Sequence, residues 1–252
     1  MSANPDSDPD RSAVGDDPDH WFEPIADHLG AAYLRYSFTK GTRQEVDFLW
    51  PRLGLAGGST VLDVGCGPGR HVHELARRGA KAHGIDISLR FVDLARAGAP
   101  DGATFERLDA RALPFDSGFD AVVSLCQGGF GLLTGEGEDE AVVRGIARAL
   151  RPGGRAAMSA FNSYFAVKYH VEADFDADRG ISHELTEVRN ESGAPATVDL
   201  WTGCYTPREL RLLLRVCGLR LDSIWSVEPG AYAESPPTTE SPEFLVLATR
   251  TA

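Results

Sequence analysis

Apolar positions follow two rhythms along this chain. From Trp21 to Leu55 large apolar side chains recur at about helical spacing, as in Trp21, Phe22, Ile25, Leu29, Tyr33 and Tyr36. Residues three and four apart share a helix face, so this stretch predicts one or two amphipathic helices. A helix is expected over 42–50, ended by Pro51. From Ser59 the rhythm changes to short apolar runs alternating with amphipathic stretches. Strands are expected over 61–64, 81–87, 104–108, 119–125 and 155–161, and helices over 71–78, 89–97 and 138–150. Such βαβ alternation predicts a parallel sheet with helices on both faces.

The alternation stops between Asn162 and Gly203. Two polar–apolar runs, 181–189 and 197–201, flank Asn190-Glu191-Ser192-Gly193 and predict a hairpin inserted after the fifth strand. An apolar helix follows over 207–216, capped by Thr206 and closed at Gly218. Strands over 219–227 and 244–249 end the chain, joined by a Pro-, Ser- and Thr-rich loop over 229–242. The expected organisation is a disordered acidic tail over 1–19, a helical segment over 20–55 and a main domain over 56–252, with an insertion at about 162–203.

Composition narrows the function classes. Length 252 suits one domain with additions. Lys+Arg 25 against Asp+Glu 37 gives a net charge of −12, with no dense basic block, so nucleic acid is not an expected partner. No apolar run is long enough for a membrane span, and no basic-then-apolar start suggests a secretory signal. The four cysteines (Cys66, Cys126, Cys204, Cys217) are scattered without a Cys-x-x-Cys pair. A reducing cytoplasm is therefore expected, with neither a disulfide framework nor a zinc site.

The candidate chemistry centres on Val61-Leu62-Asp63-Val64-Gly65-Cys66-Gly67-Pro68-Gly69-Arg70. An apolar strand runs into an acid and then into alternate glycines, which allow a tight turn and close approach of backbone to a ligand. The next helix start offers free N–H groups. A dinucleotide-binding loop has its third glycine at the sixth position, which here is Arg70. The early third glycine and the preceding acid resemble motif I of the class I S-adenosylmethionine (SAM)-dependent methyltransferases.

That resemblance extends over roughly 59–161. Asp86, 17 residues after Gly69, stands where the family binds both ribose hydroxyls with an acid. Asp109 stands where the family binds the adenine amino group, and the Ala110 amide would face a ring nitrogen. Leu113-Pro114-Phe115, Phe119 to Ser124 and Leu150-Arg151-Pro152-Gly153-Gly154 also look like family motifs. The resemblance implies a Rossmann-like, doubly wound seven-stranded α/β sheet, mostly parallel with a C-terminal antiparallel strand, a helical lid and the inserted hairpin. It implies SAM as cofactor, S-adenosylhomocysteine (SAH) as product, and a cofactor site of Asp63, Gly65, Cys66, Gly67, Gly69, Arg70, Asp86, Ile87, Asp109, Ala110, Ser124, Leu125 and Cys126. Asp63 would either orient the loop or touch the SAM amino group. In the lid, Tyr33, Tyr36 and Phe38 would cover the sulfonium or pack.

The acceptor side is less marked. Leu125-Cys126-Gln127-Gly128-Gly129-Phe130-Gly131 lacks the Asn/Asp-Pro-Pro-aromatic motif of base-modifying amino-methyltransferases, and its glycines suggest backbone close to the acceptor. A hydroxyl acceptor would want a general base, for which histidine is the default. His170 and His183, in or near the insertion, are the candidates, with Tyr164, Tyr169 and Tyr205 to orient the acceptor or pack. His71 and His73 read as surface or cap features. A small-molecule acceptor is expected between lid and insertion. A SAM- or SAH-binding protein without transferase activity, and a tRNA or protein methyltransferase, stay open as alternatives.

Overall fold

The computed structural model describes residues 20–126 and 128–251. The acidic tail expected over 1–19 lies outside the described residues. Strands β1 (Thr60–Val64), β2 (Lys81–Asp86), β3 (Ala103–Arg107), β4 (Phe119–Ser124) and β5 (Leu150–Asn162) pair in parallel in the order β3-β2-β1-β4-β5. The last two strands of the chain, β9 (Leu219–Val227) and β10 (Glu243–Arg250), complete this sheet, with β10 antiparallel to both β5 and β9. The expected doubly wound sheet of seven strands is therefore present, and β10 alone among them runs against the rest.

Burial explains the strand sequences. Val61 to Val64 of β1 and Ala121 to Ser124 of β4 are buried throughout. Strands covered on both faces lose polar alternation and read as continuous apolar runs. One face packs against α5 (Glu138–Ala149) and α7 (Pro207–Val216), where Leu62, Val122, Ile146, Leu210 and Phe244 meet. The other packs against α2 (Thr42–Arg52), α3 (Arg70–Arg77) and α4 (Leu89–Ala97), through Leu49, Val61, Val72, Val92 and Val123. The expected cap of α7 is a capping box, with Thr206 Oγ1 accepting the Glu209 N–H and Glu209 accepting the Thr206 N–H.

Three local expectations are corrected. Pro51 lies inside α2, and the helix continues because the Leu53 N–H still reaches the Leu49 carbonyl at 2.8 Å. Strand β5 begins before the Pro152-Gly153-Gly154 turn, and its register against β4 jumps from Phe119↔Leu150 to Ala121↔Arg155 across that bulge. The inserted hairpin is three-stranded, because β6 (Asp174–Asp176) pairs with β7 (Ile181–Arg189), which pairs with β8 (Pro195–Tyr205). It follows α6 (Ser163–Tyr169) and rejoins the sheet where β8 runs parallel to the end of β5, Phe161↔Cys204 and Asn162↔Tyr205. At the N-terminus α1 (Glu23–Leu29) leads through two 3-10 turns, Gly30–Arg35 and Ser37–Thr39, into α2. Among the described residues no helix is long and apolar enough to cross a membrane.

Candidate active site

The glycine loop leaves β1 at the carboxyl edge of the sheet and folds around the end of β2. Gly65 and Cys66 both donate their N–H to the Ile85 carbonyl, at 2.9 and 2.8 Å. Gly65, Gly67 and Gly69 have φ of 75°, 53° and 81°. These left-handed values disfavour any residue with a Cβ. A Cβ on Gly65 would lie 2.2 Å from the Gly128 carbonyl carbon, so the backbone after β4 rests directly on the loop. At Gly67 the space is open, the nearest atom being Tyr33 Cε1 at 3.7 Å. Glycine there leaves room beside an aromatic ring.

Asp86 ends β2 and is locked in place. Its Oδ2 accepts the Gly67 N–H at 2.8 Å and its Oδ1 the Ser88 N–H at 2.9 Å. Burial pushes its carboxyl up to about 6 against those two donors. Asp63 is buried more deeply, and its Oδ2 has no hydrogen-bond partner among the described residues. Burial pushes it up to about 7, although Arg70 pulls the other way. Ser124, at the end of β4, likewise has a buried, unpartnered Oγ. The next residues are the buried Leu125 and then Cys126, whose φ of 52° is unusual for a side chain with a Cβ.

Arg70, at the start of α3, donates to Thr42 Oγ1 at 2.8 Å, Glu45 Oε2 at 2.6 Å and Cys126 Sγ at 2.7 Å. Glu45 also accepts from His71 Nε2 at 2.7 Å and from the Gly230 N–H at 2.9 Å. Burial alone would raise the Glu45 carboxyl, but His71 and Arg70 together bring it down to about 2. Burial, and then Arg70, bring His71 down to about 4, so at neutral pH a neutral imidazole donates to an ionised Glu45. His71 is thus a buried tie rather than a surface or cap feature, because α2 covers the face of α3 that carries it. His73 is partly buried, its Nε2 bonded to the Ala95 carbonyl at 2.8 Å.

Asp109 and Ala110 follow β3 and line a narrow cleft with Asp86, Ile87, His20 and Phe22. Arg111 grips both oxygens of Asp109 and also reaches Glu138 Oε1 at 2.7 Å. Partial burial would raise the Asp109 carboxyl, yet Arg111 holds it below the usual carboxylate range.

A roof covers this edge. Helix α1 and the 3-10 turn after it pack on the inserted sheet, where Ile25 and Leu29 meet Val188, Ala196 and Val198. Tyr33 packs on Phe91 with ring centroids 4.9 Å apart, and Tyr36 stacks on Phe38 at 5.7 Å. Under the roof lies a cavity of about 300 Å³. Gly65, Gly67, Asp86 and Cys126 form its floor, Tyr33, Tyr36 and Phe38 one wall, and Val188, Val198 and Leu200 of the insertion another. The loop over 229–242 is pinned rather than loose: Tyr232 is buried and exchanges backbone hydrogen bonds with the Gln44 side chain at 2.8 and 2.9 Å.

The three acceptor-side candidates are not brought to this cavity. His170 follows α6 on the surface, against Phe165. Tyr164 is 47% exposed on the same helix. His183 is on β7, stacked on Trp201 and bonded to Asp199 at 2.7 Å. Strand alternation puts it on the face opposite Thr186 and Val188. Tyr205 is a core residue stacked on Phe130, and Tyr169 bonds Glu240 on the surface. Two carboxylates that the sequence reading passed over are placed here instead. Glu45 is one, and its i, i+4 spacing to Leu49 was the available signal. The other is Glu243, 5% exposed at the start of β10 and part of the cavity wall. Its signal was an acid opening the apolar run Phe244 to Ala248.

Comparison with known proteins agrees with this geometry. A family model described as a methyltransferase domain matches residues 61–154. The chain is 31% identical over 212 residues to the cypemycin N-terminal methyltransferase of a Streptomyces species, covering 77% of this chain and 84% of that one. It is 29% identical to the demethylmenaquinone methyltransferase of Tropheryma whipplei, over 72% of this chain and 74% of the relative. The fold is similar to that of the CcbJ methyltransferase from Streptomyces caelestis, with a TM-score of 0.73 at 20% identity, covering 93% and 98% of the two chains. From its glycine loop, its seven-stranded sheet and these relatives, the chain belongs to the class I S-adenosylmethionine-dependent methyltransferases.

Proposed function

We propose that this enzyme transfers the methyl group of SAM to a small-molecule acceptor held between the N-terminal lid and the inserted sheet. The observation that carries this reading is the single cavity that joins the glycine loop and Asp86 to both roof segments. Ligands of open α/β sheets bind beyond the carboxyl ends of the strands, which is this edge.

The residues fit the cofactor. Asp86, held rigid by two N–H donors, presents a carboxylate to a ribose diol. Asp109, the Ala110 amide and Ile87 suit the adenine, since all three line the narrow cleft beside Asp86. The backbone of Gly65, Cys66, Gly67 and Gly69 suits the amino-acid end. The buried, unpartnered Oδ2 of Asp63 fits an ammonium donor, and Arg70 fits a carboxylate. Ser124, Leu125 and Cys126 flank the same end. Tyr33 and Tyr36 offer aromatic faces to a sulfonium, a contact of about 0.5–2 kcal/mol.

SAM supplies a methyl carbon on a good leaving group. What remains for the protein is to align a nucleophile and keep water out. The roof does both. A small acceptor is favoured by the cavity's size and by the net charge of −12, which repels polyanions. The relatives' names, the N-terminus of cypemycin in one case and a demethylmenaquinone in another, support acceptors that are not nucleic acids. Calorimetry with SAM, SAH, NAD and FAD tests the cofactor half: SAM and SAH are expected to bind one per chain and the dinucleotides not at all. Transfer of labelled methyl to a metabolite panel, with bulk tRNA and protein as controls, tests the other half. Labelling confined to tRNA or protein would overturn the small-molecule reading.

A further inference from the structure

We propose that Arg35, Arg189 and Asn190 form an anion subsite at the outer end of the cavity, and that the acceptor is an apolar molecule with a carboxylate at the end away from the methylated atom. This rests on the methyl-transfer reading above.

With SAM on the floor formed by Gly65, Gly67 and Asp86, the acceptor is left the part between Tyr36 and the Val188, Val198 and Leu200 side chains. That part opens where the inserted sheet thins. Strand β6 covers β7 only from Ile181 to His183, and beyond His183 β7 is an edge strand among the described residues. A second recess of about 340 Å³ adjoins the cavity there and shares Tyr36 and Glu187 with it. Arg35, Arg189 and Asn190 complete its polar lining. An acceptor longer than the apolar part therefore leaves it past these three side chains.

The charges here run against those of the chain, whose net charge is −12. At and beside the recess three guanidiniums, of Arg35, Arg90 and Arg189, stand against two carboxylates, of Glu187 and Glu191. Glu191 is held by Arg90 and the Ala31 N–H, both at 2.7 Å. Glu187 meets Arg189 at 2.6 Å, with both side chains more than half exposed, and such a pair contributes little in water. Arg35 donates to the Glu191 carbonyl at 3.1 Å and has no ion-pair partner among the described residues. Asn190 Oδ1 accepts from the Ser192 N–H, the Ser192 hydroxyl and the Ala194 N–H, at 3.1, 2.8 and 2.9 Å. Three donors on one atom identify it as the oxygen, which leaves the Nδ2 donors for a ligand. A carboxylate accepts two N–H bonds at once from a guanidinium fork, and two forks with an amide between them match its oxygens. Repulsion from the acidic surface is screened beyond about 8 Å at physiological salt, so the local charge decides what the mouth admits.

6-Phenylhexanoate and 8-phenyloctanoate, each beside the phenylalkanol of the same length, test this in calorimetry with the full chain saturated by SAH. For at least one length the wild type is expected to bind the carboxylate at least about tenfold more tightly than the alcohol, the scale of one charged hydrogen bond. Arg35→Gln and Arg189→Gln are each expected to cut that preference severalfold and the double variant to abolish it, with SAH affinity and binding of the alcohol unchanged. Carboxylates bound no more tightly than their alcohols at both lengths, no binding of either carboxylate, or a preference undiminished in the double variant overturns the proposal. Both arginines are exposed, so the variants are expected to melt with the wild type, and the wild-type comparison stands even if they do not. Equal binding of carboxylate and alcohol would remove the subsite and leave the methyl-transfer reading in place. Failure of SAH itself to bind the wild type would instead overturn the cofactor site.

Discussion

Glu191 Oε1 accepts the Ala31 N–H at 2.7 Å, across 160 positions of sequence. The same oxygen meets Arg90 Nη2 at 2.7 Å, while Arg35 donates to the Glu191 carbonyl at 3.1 Å. The tip of the inserted sheet thus clasps the turn that follows α1 and anchors both to α4. One exposed side chain thus adds polar ties to the apolar contacts between the two halves of the roof. In Glu191→Ala we expect faster hydrogen exchange of the amides around 31–38 and a severalfold drop in turnover, with little change in melting temperature. Unchanged exchange and rate would mean that the apolar contacts of Ile25, Leu29 and Val188 suffice.

Asp86 should dominate cofactor affinity. Asp86→Ala is expected to weaken SAH binding by about 1.5–3 kcal/mol, the range for hydrogen bonds to a charged group. Because burial lifts this carboxyl to about 6, wild-type affinity should also fall as pH drops below that value. Calorimetry from pH 5 to 8 reads both effects, and a variant as tight as the wild type would remove the ribose assignment.

Gly67→Val should abolish SAH binding. The left-handed φ of 53° resists a β-branched residue, and its side chain would point into the space beside Tyr33. A folded variant of normal affinity would refute close backbone approach at this turn.

Asp63 trades stability for charge. Its carboxyl is raised to about 7 in the fold against an ordinary value of 3.8. Between those values the native state holds a proton that the unfolded chain has released, so this group's contribution falls as pH rises. His71 has the opposite sign between about 4 and 6.5, so the comparison must be with a variant and not across pH alone. The melting temperature of Asp63→Asn relative to wild type should climb from pH 5 to pH 8, toward a gain of at most about 4 kcal/mol. A pH-independent difference would show that Asp63 titrates normally.

Truncation separates the tail from the roof. A chain starting at residue 20 is expected to keep SAH affinity and turnover. One starting at residue 56 loses α2 and with it Glu45, leaving Arg70 and His71 without their carboxylate. It should lose turnover, bind SAH more weakly and melt earlier. Full activity in the shorter chain would put the lid elsewhere.

The sheet was legible because its strands are doubly covered and its turns carry glycine and proline. The helices over 89–97 and 207–216 agree with the expected bounds to the residue. Asp86 and Asp109 were legible because a strand end precedes each. The acceptor side was not, for a physical reason. His170 and His183 were candidates by residue type and by lying in or near the insertion, but strand alternation and a surface helix turn both away from the cavity. Glu243 reaches it from a strand 81 positions beyond Asn162, by a pairing that no local pattern records. His71 looked like a helix-start residue, since nothing in its neighbourhood announces that α2 will pack over it.

The insertion departs from β5 at Asn162 and comes back beside it at Tyr205, so its two ends share one hydrogen-bonded rung. Anything strung between those ends is a closed detour. Lengthening or replacing it would leave the seven-stranded sheet and its strand-end acids in register, at a loop-closure cost that grows only with the logarithm of length. The inserted wall of the cavity is thereby a graftable element, separable from the sheet that carries the glycine loop.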